Sequence, residues 1–158
     1  NRVEREVVDA LVDAVQQAAR RAGHTLHRGL TYACIEGPRL GTQAESHFLR
    51  QAGCHLVGMT NVPEVFLARE AQMAYATVGL VTDYDCWLDD PAQHVSVSGI
   101  FALYGQTLTK AAQVLDALLS GPLPTPEADI RTALATAMLT PDAALSAEQL
   151  AWMGVLRR

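Results

Sequence analysis

Residues 29–60 read GLTYACIEGPRLGTQAESHFLRQAGCHLVGMT, and the pattern predicts a strand, a helix and a second strand in that order. The first run is rich in β-formers and stops at a Gly-Pro pair. Thr42 and Glu45 have the spacing of a capping box, so a helix is predicted to start there and to run to about Gly53. The apolar residues 55–60 predict the next strand. A strand–helix–strand order indicates an α/β fold with a crossover connection.

Helical and apolar patterns extend this unit on both sides. Asn61 and Glu64 resemble a second capping arrangement, with Pro63 in the first helical turn. The longest apolar run, residues 74–83, does not alternate, so it predicts a strand buried on both faces. We therefore expect residues 1–158 to form a single α/β domain with a mixed central sheet flanked by helices. Further helices are predicted at residues 7–19, 61–72, 95–119, 130–139 and 147–156. Gly23 is expected to end the first of them.

Composition and charge exclude several classes of function. With 158 residues, 49% of them hydrophobic, the chain is long enough to bury a core and reads as a soluble globular protein. A net charge of −5, with no Lys/Arg run longer than a pair, argues against binding to nucleic acid or an anionic membrane. No segment has the length of a membrane span, and the charged N-terminus is unlike a signal peptide. Three cysteines without CxxC spacing predict reduced thiols in the cytoplasm and no zinc site.

Polar residues follow all three predicted strands at the point where each strand ends. Ligands in such folds bind at the carboxyl ends of the strands. The second of these ends also begins a predicted helix, whose N-terminus suits a phosphate. The third carries two carboxylates, Asp83 and Asp85, although an Asp after a strand is by itself more often a turn or cap residue. The three segments are residues 36–41, 59–60 and 82–85.

Three motifs resemble a known family when taken together. They are IEGPRLGTQAES, GMTNVPEVFLAREA and VTDYDCW, at residues 35–46, 58–71 and 81–87. Their order and spacing are similar to the 5'-methylthioadenosine phosphorylase branch of the trimeric purine nucleoside phosphorylases. The resemblance implies a phosphorylase/hydrolase-like fold and phosphorolysis of S-methyl-5'-thioadenosine to adenine and 5-methylthioribose 1-phosphate. It also implies inorganic phosphate as co-substrate, no metal or organic cofactor, and a homotrimer.

The resemblance gives each carboxylate a role. Asp83 would donate a proton to N7 of the purine as it leaves, which requires an apolar site or a neighbouring carboxylate to keep that proton in place. Asp85 would accept a hydrogen bond from the 6-amino group. Members acting on 6-oxopurines typically have Asn in place of Asp83. An unmatched buried polar group costs about 1–3 kcal/mol, so adenine should be preferred by roughly tenfold to hundredfold.

The remaining site residues follow from the same resemblance. Met59 would pack on the ribose, and Thr60 would bind phosphate with its hydroxyl and amide. Val97 would line the pocket for the 5'-substituent, with Val95 as the alternative. Gly41 lies on the base side, where adenine-specific members usually have Ser, so one base contact is left to water or backbone.

Three nearby residues are predicted to have structural roles. Arg39 is expected in an ion pair with a carboxylate, Cys86 in the core, and Trp87 in the core beneath the loop.

The family's N-terminal half is absent from this sequence. That half carries a Gly-rich phosphate loop, an Arg-His pair and a Thr-Ala strand end in the relatives that the motifs resemble. We therefore expect a C-terminal portion of a longer phosphorylase, lacking the N-terminal strands and inactive alone. Two alternatives stay open: a purine nucleoside or methylthioinosine phosphorylase, and a non-catalytic fragment that binds nucleosides.

Overall fold

The computed structural model describes residues 3–88, 97–126 and 128–157. Six helices and two strands account for the regular structure of these residues, together with short 3-10 turns at Asp85–Trp87 and Asp142–Ala144. The elements are α1 (Val3–Arg21), β1 (Tyr32–Cys34), α2 (Gln43–Gln51), β2 (Leu56–Gly58), α3 (Glu64–Glu70), α4 (Val97–Leu119), α5 (Ala128–Arg131) and α6 (Ala147–Leu156).

The two strands form a parallel pair. Ala33 of β1 lies opposite Val57 of β2, and the hydrogen bonding continues past the strands, where the amide of Ile35 donates to the carbonyl of Gly58 at 2.9 Å. The segment between the strands contains α2, which begins at the predicted capping box. The α/β class predicted from the sequence is confirmed, with a small parallel sheet.

The predicted third strand is wrong for this chain. Residues 73–84 contain no regular secondary structure. A strand exists only when a neighbour pairs with its backbone, and a run of apolar residues does not supply that neighbour. Val78 and Val81 are 36% and 55% exposed, so the segment is not buried on both faces either.

Three helices end in the same way. The second residue after each helix takes a left-handed conformation, at Gly23, Gly53 and Gln72, with φ of 77°, 79° and 57°. In each case the next amide donates to the carbonyl five residues earlier, at 2.8, 3.0 and 2.9 Å respectively, which is the Schellman arrangement. The helix ends predicted at Gly23 and Gly53 are confirmed. Gln72 lacks the freedom of glycine, and its conformation costs about 1–2 kcal/mol.

The side chain of Gln72 explains why a predicted helix is short. Its amide nitrogen donates to the carbonyl of Leu156, and its amide oxygen accepts from the backbone N–H of Leu134 at 3.2 Å. In an α-helix that N–H would donate to Ile130. The helix predicted over residues 130–139 therefore stops after α5 and continues only as turns.

Contacts divide the chain into two compact units. The first consists of Asn1–Ala14, Pro63–Ala76 and Leu123–Arg158, and the second of Val15–Val62 and Thr77–Pro122. Among the described residues of the first unit, the buried apolar side chain is that of Met153. The second unit buries Ala18, Ala19, Val114 and Leu118. That the chain forms a single domain stays a prediction.

One side of α4 carries exposed apolar side chains, which we call the apolar face of α4. Their spacing of three, four and seven residues places them on the same side of the helix. They are Phe101 (70% exposed), Tyr104 (44%), Leu108 (49%), Leu115 (52%) and Leu119 (69%). Within the described ranges, no helix is long and apolar enough to cross a membrane.

Candidate functional site

The loops after the two strands meet, as expected for the carboxyl ends of a parallel pair. Gly37 follows β1 and Met59 follows β2. A Cβ atom built on Gly37 would lie 2.8 Å from the sulfur of Met59, closer than real Cβ contacts. A side chain at position 37 would therefore displace Met59, and glycine lets the two loops approach each other.

The third loop of the candidate site, which contains the 3-10 turn Asp85–Trp87, docks on α2. The Oγ of Ser46 donates to Oδ2 of Asp85 at 2.6 Å, and the guanidinium carbon of Arg50 lies 3.4 Å from the centre of the Trp87 ring. Ser46 and Arg50 are one helical turn apart, so they lie on the same side of α2. The second turn of α2 therefore holds both ends of the 3-10 turn Asp85–Trp87.

Asp85 itself has an unusual backbone. Its φ is 58°, in the left-handed region that glycine adopts easily and other residues adopt at a cost. Such conformations persist where the surroundings hold them, and they cluster at functional sites. At Asp85 the hydrogen bond from Ser46 supplies part of that hold.

Gly41 and Cys86 connect the first loop to the third. The Cys86 thiol is 3.9 Å from the carbonyl oxygen of Gly41, within the range of a weak S–H hydrogen bond. The prediction that Cys86 lies in the core is wrong, because the residue is exposed at the surface of the turn. Local desolvation of the sulfur, and then the charge of Asp85, raise the pKa of the Cys86 thiol.

The raised pKa makes Cys86 a slow nucleophile. A thiol whose pKa is raised has less thiolate at pH 8 than a free cysteine, so iodoacetamide should modify it more slowly. We expect its rate-against-pH profile to have a midpoint above that of a model thiol, measured in a protein with Cys34→Ser and Cys54→Ser. Asp85→Asn removes the neighbouring charge and should lower that midpoint. A midpoint at or below the model thiol would contradict the assignment.

Glu45 has two partners at the start of α2. Arg39 donates to both of its carboxylate oxygens, at 2.5 and 2.9 Å, and the backbone N–H of Thr42 donates to it at 2.8 Å. The Thr42 side chain in turn accepts from the Glu45 amide at 3.2 Å, which confirms the capping box. The predicted ion pair of Arg39 is confirmed as well. The Arg39 guanidinium, followed by Thr42, lowers the pKa of Glu45 to about 2.

This pKa predicts a loss of stability in acid. Since the folded pKa of Glu45 is about 2 and its ordinary value is 4.5, the stabilisation is present above pH 4.5 and is lost as the pH falls toward 2. We expect the urea midpoint to fall between pH 5 and pH 2.5. Glu45→Gln keeps an oxygen for the cap and removes the titrating group, so its midpoint should fall less. Equal falls in both proteins would assign the loss to other carboxyl groups.

The predicted capping role of Asn61 and Glu64 is wrong. Glu64 is the first residue of α3, no side chain caps that helix, and Glu64 accepts from the hydroxyl of Tyr75 at 3.0 Å. The amide nitrogen of Asn61 donates to the hydroxyl of Thr77 at 2.9 Å. Thr60 was predicted to lie at a helix N-terminus. This prediction is wrong, because Thr60 is exposed and lies four residues before α3 begins at Glu64.

The two predicted carboxylates have different surroundings. Asp83 is exposed, and its Oδ1 accepts from the hydroxyl of Thr82 at 2.9 Å. Asp85 is half-buried and bonded to Ser46. The described residues thus do not provide the apolar enclosure expected around Asp83. Val97 begins α4, its side chain is outside the described part of the structure, and Val95 lies outside the described residues altogether.

No cluster of three or more His, Cys, Asp or Glu side chains suited to a metal ion occurs in residues 3–88, 97–126 and 128–157.

Comparison with known proteins decides the family. The pattern of the "Phosphorylase superfamily" matches residues 5–124 of the chain. The chain belongs to this superfamily. All three loops of the candidate site fall within the matched residues, and the resemblance inferred from the three motifs is confirmed.

Relatives of this member of the superfamily carry a consistent name. The S-methyl-5'-thioadenosine phosphorylase of Rhodospirillum rubrum is 44% identical over 126 residues, which cover 77% of this chain and 42% of the relative. That of Geobacter sulfurreducens is 47% identical over 98 residues, covering 62% and 34%. A crystal structure of a methylthioadenosine phosphorylase from an antarctic soil metagenomic library aligns with a TM-score of 0.76 and 38% identity, covering 92% of this chain and 52% of that one. The chain thus spans about half the length of these relatives, or less.

The sequence motifs did not single out Ser46 or Arg50 of this superfamily member. A serine beside charged residues in an amphipathic helix reads as a surface residue, yet Ser46 is only 2% exposed. Its position in the sequence could have indicated a role in the site. Ser46 immediately follows the capping residue Glu45, on the helix that begins after the first loop.

Proposed function

We propose that this chain is the base-binding portion of an S-methyl-5'-thioadenosine phosphorylase, which releases adenine and forms 5-methylthioribose 1-phosphate. The observation that carries the proposal is that the loops holding Gly41, Met59 and Asp85 all lie in the region matched to relatives with this name. These loops also approach one another in the structure, as the contacts from Gly37 to Met59 and from Cys86 to Gly41 show.

The leaving group decides what the two carboxylates must do. A purine anion leaves poorly, so a group that protonates N7 as the glycosidic bond breaks lowers the barrier; general acid catalysis of this kind contributes typically 10²–10⁴-fold. We assign this role to Asp83. The exposed position of Asp83 in the chain by itself means that substrate or other protein segments have to exclude water from it before it can hold its proton.

Asp85 recognises the base. A carboxylate has about four lone-pair sites, so one hydrogen bond from Ser46 leaves capacity for the 6-amino group of adenine. A 6-oxopurine presents an acceptor at the same position and would face the carboxylate without a proton between them. This difference favours adenine over hypoxanthine and makes a 6-oxopurine phosphorylase the weaker alternative.

The other assignments are part of the same proposal. Thr60 binds phosphate, the co-substrate, with its hydroxyl and amide, and no organic cofactor is required. Met59 packs against the ribose, Val97 lines the space for the methylthio group, and Gly41 leaves one base contact to backbone or water. We further propose a homotrimer in the cytoplasm.

A second function is favoured by one observation, the exposure of Asp83. A protein consisting of this chain alone could bind adenine nucleosides without cleaving them. It would then act as a binding protein or as one part of an assembly.

The test combines an intact mass with an assay. The purified protein is weighed by mass spectrometry and then incubated with S-methyl-5'-thioadenosine, with and without phosphate, while adenine is measured. Release of adenine that requires phosphate, from a protein heavier than 17.0 kDa, would establish the phosphorylase. Binding without release from a protein of 17.0 kDa would establish the second function. Release without phosphate would contradict both.

A further inference from the structure

Ser46 is the one buried polar or charged residue among those that the structure describes. Placing a hydroxyl in a buried position costs free energy unless the hydroxyl is hydrogen-bonded. Its partner is the carboxylate of Asp85, 2.6 Å away and 39 positions further along the chain. A bond between a hydroxyl and a charged acceptor is among the stronger kinds in proteins. The contact therefore joins α2 to the third loop of the site.

The Asp85 backbone needs such a contact. Its φ of 58° is one that a residue with a Cβ atom adopts rarely, and an unconstrained Asp in a loop would populate other conformations. One turn further along α2, Arg50 stacks on Trp87, so the same helix holds the first and the last residue of the 3-10 turn. The direction of the Asp85 carboxylate is thus set by α2.

We propose that Ser46 is a positioning residue for base selectivity: it holds the Asp85 carboxylate in the orientation that accepts from a 6-aminopurine. The proposal rests on the function proposed above, because it assumes that Asp85 contacts the base. Ser46 touches Asp85 and acts on the base only through it. Loss of its hydroxyl should therefore weaken the recognition of adenine more than that of a base without the amino group.

The first experiment measures base binding by equilibrium dialysis with adenine and hypoxanthine. Ser46→Ala should raise the Kd for adenine by about 5–30-fold, which corresponds to about 1–2 kcal/mol, and change the Kd for hypoxanthine less than twofold. The matched control is Ser120→Ala, because the Ser120 hydroxyl donates to the carbonyl of Asp116, in the last turn of α4, at 2.7 Å. It should leave both values unchanged. An equal loss for both bases would overturn the proposal.

A double-variant cycle tests whether Ser46 acts through Asp85. In an Asp85→Ala background the Ser46→Ala substitution should have no further effect on adenine binding, because the group that it positions is gone. Additive effects would mean that Ser46 supports the site in another way and would contradict the positioning role.

A readout without ligand separates this proposal from the function on which it rests. In a Trp152→Phe background Trp87 is the remaining tryptophan, and its acrylamide quenching reports how firmly the turn is held on α2. Ser46→Ala should raise the quenching constant about twofold at an unchanged far-ultraviolet circular dichroism spectrum. If the parent protein binds no purine while this increase occurs, the proposed function fails and the hold on the turn stands. Unchanged quenching would contradict the claim that Ser46 holds the turn Asp85–Trp87 on α2.

Discussion

Asp83→Asn should lower kcat for phosphorolysis of S-methyl-5'-thioadenosine by about two orders of magnitude or more. An amide cannot give up a proton to N7 as the bond breaks, and loss of a general acid costs typically 10²–10⁴-fold. The same amide can donate to O6 of a 6-oxopurine, so the ratio of inosine to adenosine cleavage should rise. Steady-state kinetics of both nucleosides, at saturating phosphate, measure the two effects in the active protein.

Two controls accompany Asp83→Asn. Cys86→Ser alters the same loop three residues further on and should leave kcat nearly unchanged, because no proton transfer is assigned to the thiol. Asp116→Asn makes the same chemical change on an exposed part of α4. An unchanged preference between adenosine and inosine in Asp83→Asn would remove the role assigned to Asp83. A large loss of kcat in Cys86→Ser at unchanged stability would show that the thiol takes part in catalysis.

Gln72→Ala should lower the free energy of unfolding by about 2–3 kcal/mol. The substitution removes both side-chain hydrogen bonds and leaves the Leu156 carbonyl and the Leu134 N–H unpaired in part-buried positions, at about 1–3 kcal/mol for each such group. Ala keeps the left-handed conformation that Gln72 has, at a similar cost, so the difference between the two proteins reports the lost side-chain bonds. Urea unfolding followed by circular dichroism measures the effect.

Gln72→Gly measures the cost of the backbone conformation. Glycine loses the same hydrogen bonds but adopts a positive φ freely, so it should be more stable than Gln72→Ala by about 1 kcal/mol. If Ala and Gly variants are equally stable, the backbone conformation contributes nothing measurable. If Gln72→Ala is within about 0.5 kcal/mol of the parent protein, the side-chain bridge does not contribute to folding.

The features that the sequence predicted well are local ones. The capping box of α2 involves two residues three positions apart, and the helix ends at Gly23 and Gly53 follow from the conformational freedom of glycine. The ion pair of Arg39 also lies within six positions. Each depends on neighbours along the chain, which a sequence displays directly.

The features that the sequence predicted poorly depend on distant partners. Residues 74–83 have the composition of a strand and no neighbour that pairs with them in the described structure. The helix over residues 130–139 is interrupted by Gln72, which is more than 50 positions away. Ser46 meets Asp85 across 39 positions. In the candidate site, the motifs located the loops, whereas the contacts that orient Asp85 required the folded chain.

The apolar face of α4 also bears on how long the chain survives in a cell. Chaperones and proteases act on chains that expose apolar segments, and abundance depends on how much of the chain is in such a state. Phe101, Leu115 and Leu119 are more than half exposed in this structure. The lifetime of the protein should therefore depend on how much of that face stays exposed, and pulse-chase turnover of Phe101→Gln beside the parent chain would measure it.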